Sequence, residues 1–184
     1  DIFPAHKKQR EFVMARRRNV LALMGIGTGK TWGGVNGILR SSALNGVVAS
    51  QSGEGLKCAI LGRTGPDISL TLKPQFNQQR EQFARAVGFD PVWRENKTTG
   101  TFRMRWGGDI IFRPYDSIET VRGYTLASAY VDELDRSRVD ANEALDVIGG
   151  RLRAGGTDPR VHRRLWVGTT PNGLQGAAAL WLRM

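Results

Sequence analysis

Short apolar runs recur along the chain and alternate with segments that suit helices. Two of them, at residues 19–24 and 57–61, are each followed by a helix-compatible stretch. Two later runs, at residues 127–131 and 164–167, end in polar residues. Strands buried on both faces have this appearance, and their alternation with helices indicates a parallel α/β sheet with ligand groups at the strand ends. We expect about five core strands.

The period of the pattern changes between residues 102 and 112. Phe102, Met104 and Trp106 alternate with two arginines, and a pair of glycines then separates them from residues 109–112. Alternation interrupted by glycine is typical of a β-hairpin. Other glycine-rich pieces predict loops between the elements. They lie at residues 53–55, 149–150 and 155–156.

The composition is that of a globular chain with a large positive charge. Its 184 residues, 40% of them hydrophobic, suit a single domain over residues 1–184. Twenty-seven Lys and Arg against seventeen Asp and Glu give a net charge of +10. Nucleic acid is therefore the first partner to consider, although solvated surface patches have the same composition. The basic residues are densest at residues 7–8, 16–18 and 151–164.

The chain shows neither a membrane span nor a targeting signal. No apolar run approaches the roughly 18 residues that a spanning helix needs, and the first residues lack the layout of a secretory signal. Because no initiator Met is present, we expect a fragment of a longer protein in a cytoplasmic setting. The single Cys58 lies in an apolar stretch and is expected to be a buried structural thiol, which excludes disulfides and cysteine-based zinc sites.

A glycine-rich loop follows the first predicted strand and precedes a helix-compatible stretch at residues 33–40. Glycines allow such a loop to turn its backbone N–H groups toward phosphate, and the helix N-terminus adds positive potential. Lys30 would reach the β- and γ-phosphates of ATP, and the Thr31 hydroxyl would bind Mg²⁺. A glycine-rich turn without nucleotide is the alternative. The predicted ATP-binding residues of the loop are Gly25, Ile26, Gly27, Thr28, Gly29, Lys30, Thr31 and Trp32.

Two adjacent acids, Asp132 and Glu133, end the apolar run at residues 127–131. Asp132 would hold Mg²⁺, directly or through water, while Glu133 would orient and deprotonate the attacking water. Acids at a strand end can also decorate a following helix N-terminus, and the loop is what favours the catalytic interpretation. The last strand ends in Thr169 and Thr170, where a γ-phosphate would lie. These hydroxyls suit phosphate sensing or coupling, although turn chemistry also explains the sequence that follows them.

In the order and spacing of these motifs, the chain resembles the ATPase domain of bacteriophage terminase large subunits over nearly its whole length. The matching features are Gln9, the loop at residues 25–31, the β-hairpin, Arg122-Gly123, Val131-Asp132-Glu133 and Gly168-Thr169-Thr170-Pro171. The resemblance implies a P-loop NTPase three-layer sandwich with a mainly parallel central sheet, flanking helices and an added β-hairpin. It also implies an ATP- and Mg²⁺-dependent motor that packages double-stranded DNA into a procapsid.

The resemblance assigns further roles and partners. Gln9 would recognise adenine, and Thr169 and Thr170 would couple hydrolysis to motion. Arg122 would reach the nucleotide of a neighbouring subunit as a catalytic arginine, although a salt bridge or a DNA contact is its alternative role. The family works as a homo-oligomeric ring on the portal protein, with a small terminase subunit, in the cytoplasm of the infected bacterium. An isolated copy would be a monomer.

The sequence departs from the family pattern in two loop positions. Many members have an arginine where this chain has Ile26, and the first loop glycine is Met24 here. Arg63, or Arg151 and Arg153, could supply the missing charge. The chain stops soon after Thr170, whereas the family continues into a metal-dependent nuclease domain, so we expect ATP hydrolysis without DNA cleavage.

Two other interpretations stay open. Asp132-Glu133-Leu134-Asp135 is close to the D-E-x-D motif of DEAD-box-like helicases, which would require a second motor lobe. A basic DNA-binding module with a decayed nucleotide site is the non-enzymatic alternative. The presence of Lys30, Thr31, Asp132 and Glu133 together argues against the latter.

Overall fold

The computed structural model describes residues 6–25, 27–52, 55–134 and 140–170. They form a seven-stranded sheet in the order β1-β7-β6-β2-β5-β4-β3. The strands are β1 (Asn19–Leu23), β2 (Lys57–Gly62), β3 (Val92–Asn96), β4 (Thr101–Met104), β5 (Asp109–Pro114), β6 (Ser128–Asp132) and β7 (Arg164–Thr169). The helices are α1 (Lys7–Met14), α2 (Lys30–Ser52), α3 (Gly65–Asp67), a π-helical turn (Ile68–Leu72), α4 (Lys73–Val87), α5 (Glu119–Arg122) and α6 (Ala141–Arg151).

The sheet confirms the predicted architecture. Five neighbouring strands run parallel, namely β1, β7, β6, β2 and β5. β4 and β3 then extend the sheet beyond β5 in antiparallel pairs. β4 and β5 form the predicted hairpin, and β5 also pairs with β2, which makes it the fifth parallel strand. β3 was not predicted. Only Val92 is buried in it, so its sequence carries no apolar alternation.

Helices cover both faces of the sheet, which gives the expected three layers. One hydrophobic core joins α1, α2 and α4 to the face that carries Tyr130 and Trp166. A second core joins α5 and α6 to the opposite face, through Ala129 and Val131. Successive β6 residues therefore point into different cores, as the period-two geometry of a strand requires.

Glycines let α2 lie close against the sheet. A Cβ atom on Gly34 would stand 2.1 Å from the Tyr130 ring, and one on Gly37 would stand 3.1 Å from Trp166. This close approach fixes the start of α2 beside the carboxyl ends of β6 and β7, where the predicted site residues lie.

Two other sequence expectations have different outcomes. Residues 149–150 were predicted to form a loop, but they belong to the last turn of α6. That prediction was wrong because a helix can carry a glycine pair next to its C-terminus. Cys58 is buried in β2, as expected, and burial raises the pKa of its thiol. Within the described ranges, no helix is long and apolar enough to cross a membrane.

Candidate functional site

A cleft of about 460 Å³ opens at the carboxyl edge of the parallel strands. One wall is the loop between β1 and α2, together with the first turn of α2. The floor is the end of β6, and the other wall follows β2. The lining residues are Gly27, Gly29, Lys30, Thr31, Trp32, Arg63, Asp67, Thr71, Gln75, Asp132 and Glu133. The fold thus brings the predicted loop and the two acids into one concave site.

The loop conformation depends on its glycines. Gly27 and Gly29 have φ angles of 77° and 82°, in the left-handed region that other residues rarely adopt. The Thr28 hydroxyl closes the turn by donating to the Gly25 carbonyl at 2.8 Å. α2 begins directly after this turn, so its N-terminus lies at the cleft. Ile26, the remaining predicted loop residue, lies outside the described residues.

Gln9 packs against the loop. Its side-chain nitrogen donates to the Thr28 carbonyl at 3.0 Å, and its side-chain oxygen accepts from the His6 N–H at 3.1 Å. A Cβ atom on Gly29 would lie 1.8 Å from that nitrogen, so this glycine is also required for the contact. The sequence did not indicate that Gln9 would hold the loop. Its predicted recognition of adenine stays a prediction.

Lys30 is buried and fully engaged. Its ammonium donates to the carbonyls of Met24 at 3.1 Å and Gly25 at 2.9 Å, and to the Thr170 hydroxyl at 3.1 Å. The Glu133 carboxylate lies 3.5 Å away. Only 4% of the side chain is exposed, so the ammonium has lost its contacts with water. These acceptors take the place of that water and offset the cost of burying the charge. A phosphate oxygen could replace a carbonyl without leaving the ammonium unsatisfied.

Asp132 lies beside Thr31 at the end of β6. The Thr31 hydroxyl donates to Asp132 Oδ1 at 3.0 Å, and the Tyr130 hydroxyl donates to the same oxygen. Burial raises the pKa of Asp132, and these two hydrogen bonds oppose that shift. The pKa of Tyr130 is raised well above its usual value by burial and then by Asp132. Tyr130 was missed, although period two places it on the same strand face as Asp132.

Glu133 is held in an unusual backbone conformation. Its φ is +53°, which is uncommon for a residue with a side chain, and its N–H donates to the Gly168 carbonyl at 2.6 Å. Both carboxylate oxygens then accept from Thr170, one from the backbone N–H at 3.1 Å and one from the hydroxyl at 3.0 Å. The Tyr115 hydroxyl lies 3.0 Å from the Glu133 carbonyl. The acid is therefore fixed from several directions.

The two predicted coupling threonines have different surroundings. Thr170 contacts Lys30 and Glu133 directly, as described above. Thr169 is buried, and its carbonyl accepts from the Met24 N–H at 3.2 Å, which ties the end of β7 to the start of the loop. The side chain of Thr170 thus contacts both Lys30 and Glu133, whereas the backbone of Thr169 joins β7 to the loop.

The structure separates the arginines that could supply the missing loop charge. Arg63 follows β2, lines the cleft and contacts Asp67, with Nε 3.2 Å from the carboxylate. Arg151 and Arg153 lie near the start of β6, because the Leu126 N–H donates to the Arg151 carbonyl at 2.8 Å. That is the opposite edge of the sheet. Arg63 is the one of the three that lies at the site.

Arg122, the predicted trans-acting arginine, lies on α5. Its guanidinium pairs with Glu119 at 2.9 Å and with Glu143 at 3.6 Å. The side chain is 44% exposed. It does not line the cleft as the described residues form it. This placement is that of a surface salt bridge within one copy of the chain, and its action on a neighbouring copy stays a prediction.

The chain is similar to known proteins in its structure. No family model and none of the curated proteins matches it. Solved structures do. The large terminase of a thermophilic bacteriophage is 14% identical over 92% of this chain and 40% of its own, with a TM-score of 0.64. In its complex with ADP, the same terminase matches with a TM-score of 0.57.

Two ATPase domains are also similar. The ATPase domain of the Thermus phage P74-26 large terminase is 15% identical over 94% of this chain and 67% of its own, with a TM-score of 0.64. The N-terminal domain of the bacteriophage phi29 DNA packaging ATPase is 14% identical over all of this chain and 87% of its own, with a TM-score of 0.58. The chain spans about two fifths of the thermophilic phage terminase. At these identities, the similarity shows a shared fold.

Proposed function

We propose that this chain is the ATP-hydrolysing motor domain of a viral DNA-packaging machine that moves double-stranded DNA into a procapsid. The observation that carries the proposal is the contact between Thr31 and Asp132 beside Glu133, at the foot of a glycine loop. These are the groups that a phosphoryl-transfer site needs. The fold shared with phage packaging ATPases supports the choice of a motor among P-loop enzymes.

Lys30 and the loop would bind the nucleotide. The Lys30 ammonium would exchange its bonds to the Met24 and Gly25 carbonyls for bonds to phosphate oxygens. The hydroxyl of Thr31 and the carboxylate of Asp132 lie 3.0 Å apart and are the hard oxygen donors that Mg²⁺ prefers. When bound, Mg²⁺ would neutralise charge on the β- and γ-phosphates.

Glu133 would activate the attacking water. Its carboxylate would orient the water and accept its proton as the oxygen attacks the γ-phosphorus, and ADP would leave. Thr170 would keep the carboxylate pointed at that water through its N–H and hydroxyl. Thr169 and Thr170 would pass a change at the site into β7, because Thr169 joins that strand to the loop.

Two arginines would add positive charge in the transition state. Arg63 would act within the same copy, where it takes the place of the loop arginine that Ile26 replaces. Arg122 would act on the nucleotide of a neighbouring copy after it leaves Glu119 and Glu143. An arginine supplied in this way can accelerate hydrolysis by about 10³–10⁵-fold. Gln9 of α1 would contact adenine from its position against the loop.

As such a motor, the chain would assemble into a homo-oligomeric ring on the portal protein, with a small terminase subunit as a further partner. The ring would act in the cytoplasm of the infected bacterium, and an isolated copy would be a monomer. We expect this chain to hydrolyse ATP.

Calorimetry with Mg·ATP tests the nucleotide site. Lys30→Ala is expected to abolish binding, because the loop loses the cation that lies within it, whereas Lys57→Ala on β2 serves as a control of equal charge. Unchanged affinity in Lys30→Ala would refute the site. Unwinding of a DNA duplex by a longer chain, without packaging, would favour the helicase interpretation instead.

A further inference from the structure

Basic segments that are far apart in sequence meet at the amino edge of the sheet, opposite the cleft. The Leu165 N–H of β7 donates to the Arg18 carbonyl at 2.8 Å, which places residues 16–18 at the start of β7. β7 itself begins at Arg164. The contact of Arg151 with Leu126 places the end of α6 at the start of β6. The sequence shows three separate basic patches, and the fold brings parts of two of them, residues 16–18 and 151–164, to one edge.

One group within this edge is held by a buried side chain. Asn45 of α2 is 1% exposed. Its side-chain amide forms two hydrogen bonds with the backbone of His162: it accepts from the N–H at 2.7 Å and donates to the carbonyl at 3.2 Å. α2 begins at the cleft and runs back toward this edge. The hydroxyl of Ser41, the residue after Arg40, donates to the His162 carbonyl at 3.4 Å, so Arg40 lies close to His162, and its charge acts on Arg164 as well. Three cationic or protonatable side chains thereby come from α2, β7 and the segment before it.

The group has no compensating acid. In the part of the chain that the structure describes, neither Arg40 nor Arg164 forms an ion pair with a carboxylate. Burial, then the charges of Arg164 and Arg40, lower the pKa of His162. Burial and Arg40 lower the pKa of Arg164 in the same way. Nη1 of Arg164 is buried without a described hydrogen-bond partner, and a buried charged donor normally has one.

We propose that Arg40, His162 and Arg164 bind a backbone phosphate of double-stranded DNA. A phosphate would supply the missing negative charge. Arg18 and Arg151 lie along the same edge, which suits successive phosphates of a polymer better than a single small anion. Strands of five or six residues separate this edge from the cleft by about 15–20 Å, so ATP bound there would not occupy it.

The proposal deepens the proposed function, since it names the surface that would hold the DNA that the motor moves. It is tested by fluorescence anisotropy with a labelled DNA duplex, without nucleotide, between about 50 and 200 mM salt. The double variant Arg40→Gln and Arg164→Gln is expected to bind at least about tenfold more weakly at the higher salt. The slope of log affinity against log salt is expected to become shallower by about 0.9, because the variant loses one phosphate contact.

A matched control removes the same charge elsewhere. Arg94→Gln combined with Arg105→Gln changes two exposed arginines of the β3–β4 region. We expect this control to keep most of the affinity and slope. Equal losses in the two double variants would overturn the proposal, since they would indicate a response to net charge. A second experiment uses inorganic phosphate as the ligand. If phosphate stabilises the wild type and not the double variant, while the two proteins bind DNA equally well, the site binds a small anion and not DNA, which would overturn the proposal.

Arg40→Glu guards against a simple folding defect. An acid beside Arg164 removes repulsion, so the melting temperature should stay equal or rise while DNA binding falls. A parallel loss of stability and binding in both Arg40→Glu and Arg40→Gln would show a structural role and overturn the proposal. Lys30→Ala should bind DNA normally, so failure of ATP binding and failure of this surface are separate results.

Discussion

The contact between Thr170 and Glu133 gives the most specific prediction about catalysis. Thr170→Val removes the hydroxyl and keeps the shape of the side chain. The variant loses the hydrogen bond to Glu133 Oε1 at 3.0 Å and the one from Lys30 at 3.1 Å. It keeps the backbone N–H bond to Glu133 Oε2 at 3.1 Å. The Glu133 carboxylate therefore stays near its position but keeps one of the two hydrogen bonds from Thr170 that orient it.

The expected size of the effect follows from these contacts. A hydrogen bond to a charged group contributes about 1.5–3 kcal/mol. The Glu133 side chain is 27% exposed, so water takes up part of the loss and the low end of that range applies. If orientation is needed only while the water attacks, about 1.5 kcal/mol lowers kcat about tenfold. Lys30 keeps two carbonyl acceptors, so the affinity for Mg·ATP should change little.

The assay is steady-state ATP hydrolysis together with calorimetric binding of Mg·ATP. Thr170→Ser is the matched control, since it restores the hydroxyl, and it should keep kcat within about twofold of the wild type. Wild-type kcat in Thr170→Val would refute the orienting role. A loss of affinity that accounts for the whole effect would show that Thr170 binds nucleotide instead.

Two further predictions concern stability. Gly34→Ala should destabilise the fold by about 1–3 kcal/mol, because the added Cβ would meet the buried Tyr130 ring. Gly149→Ala should stabilise the fold by about 0.5 kcal/mol, because the added Cβ enters open space on a helix. Urea denaturation of both variants measures the two changes in unfolding free energy and checks that they differ in sign. The hydrogen bond from Arg80 lowers the pKa of Asp90 below 3.8, so the stability it gives is present above that pH and lost as pH falls through the lowered folded value. Asp90→Asn should therefore lose less stability than the wild type between about pH 5 and pH 3, and identical pH profiles would contradict this.

Much of the fold could be predicted because burial leaves a local pattern. Apolar runs marked β1, β2, β6 and β7, and alternation around glycine marked the hairpin. β3 left no such pattern, since its residues after Val92 are exposed and are held by pairing with β4. The glycines at 149–150 were misleading because their place in a helix depends on the turns before them. The pairing of β3 with β4 is a tertiary constraint that the local sequence of β3 does not contain.

The candidate site was predictable in its composition and not in its contacts. Spacing brought the loop and the acids together, because the carboxyl ends of parallel strands share one edge. The hydrogen bonds from Thr170 to the Glu133 carboxylate form while the Glu133 backbone is in the left-handed region, and no sequence motif predicts that conformation. The choice of Arg63 over Arg151 and Arg153 required the strand order. The gathering of basic segments at the opposite edge required it as well.

The most direct test of the account is ATP turnover by the wild type and by Glu133→Gln, measured across protein concentration with Mg²⁺ and with or without duplex DNA. Glutamine keeps the size of the side chain but cannot accept the proton from water. The account predicts that the wild type hydrolyses ATP, more than linearly with concentration if Arg122 acts between copies. Glu133→Gln should bind Mg·ATP normally and turn it over much more slowly. Equal turnover by the two proteins, or equal loss of binding and turnover in the variant, would contradict it.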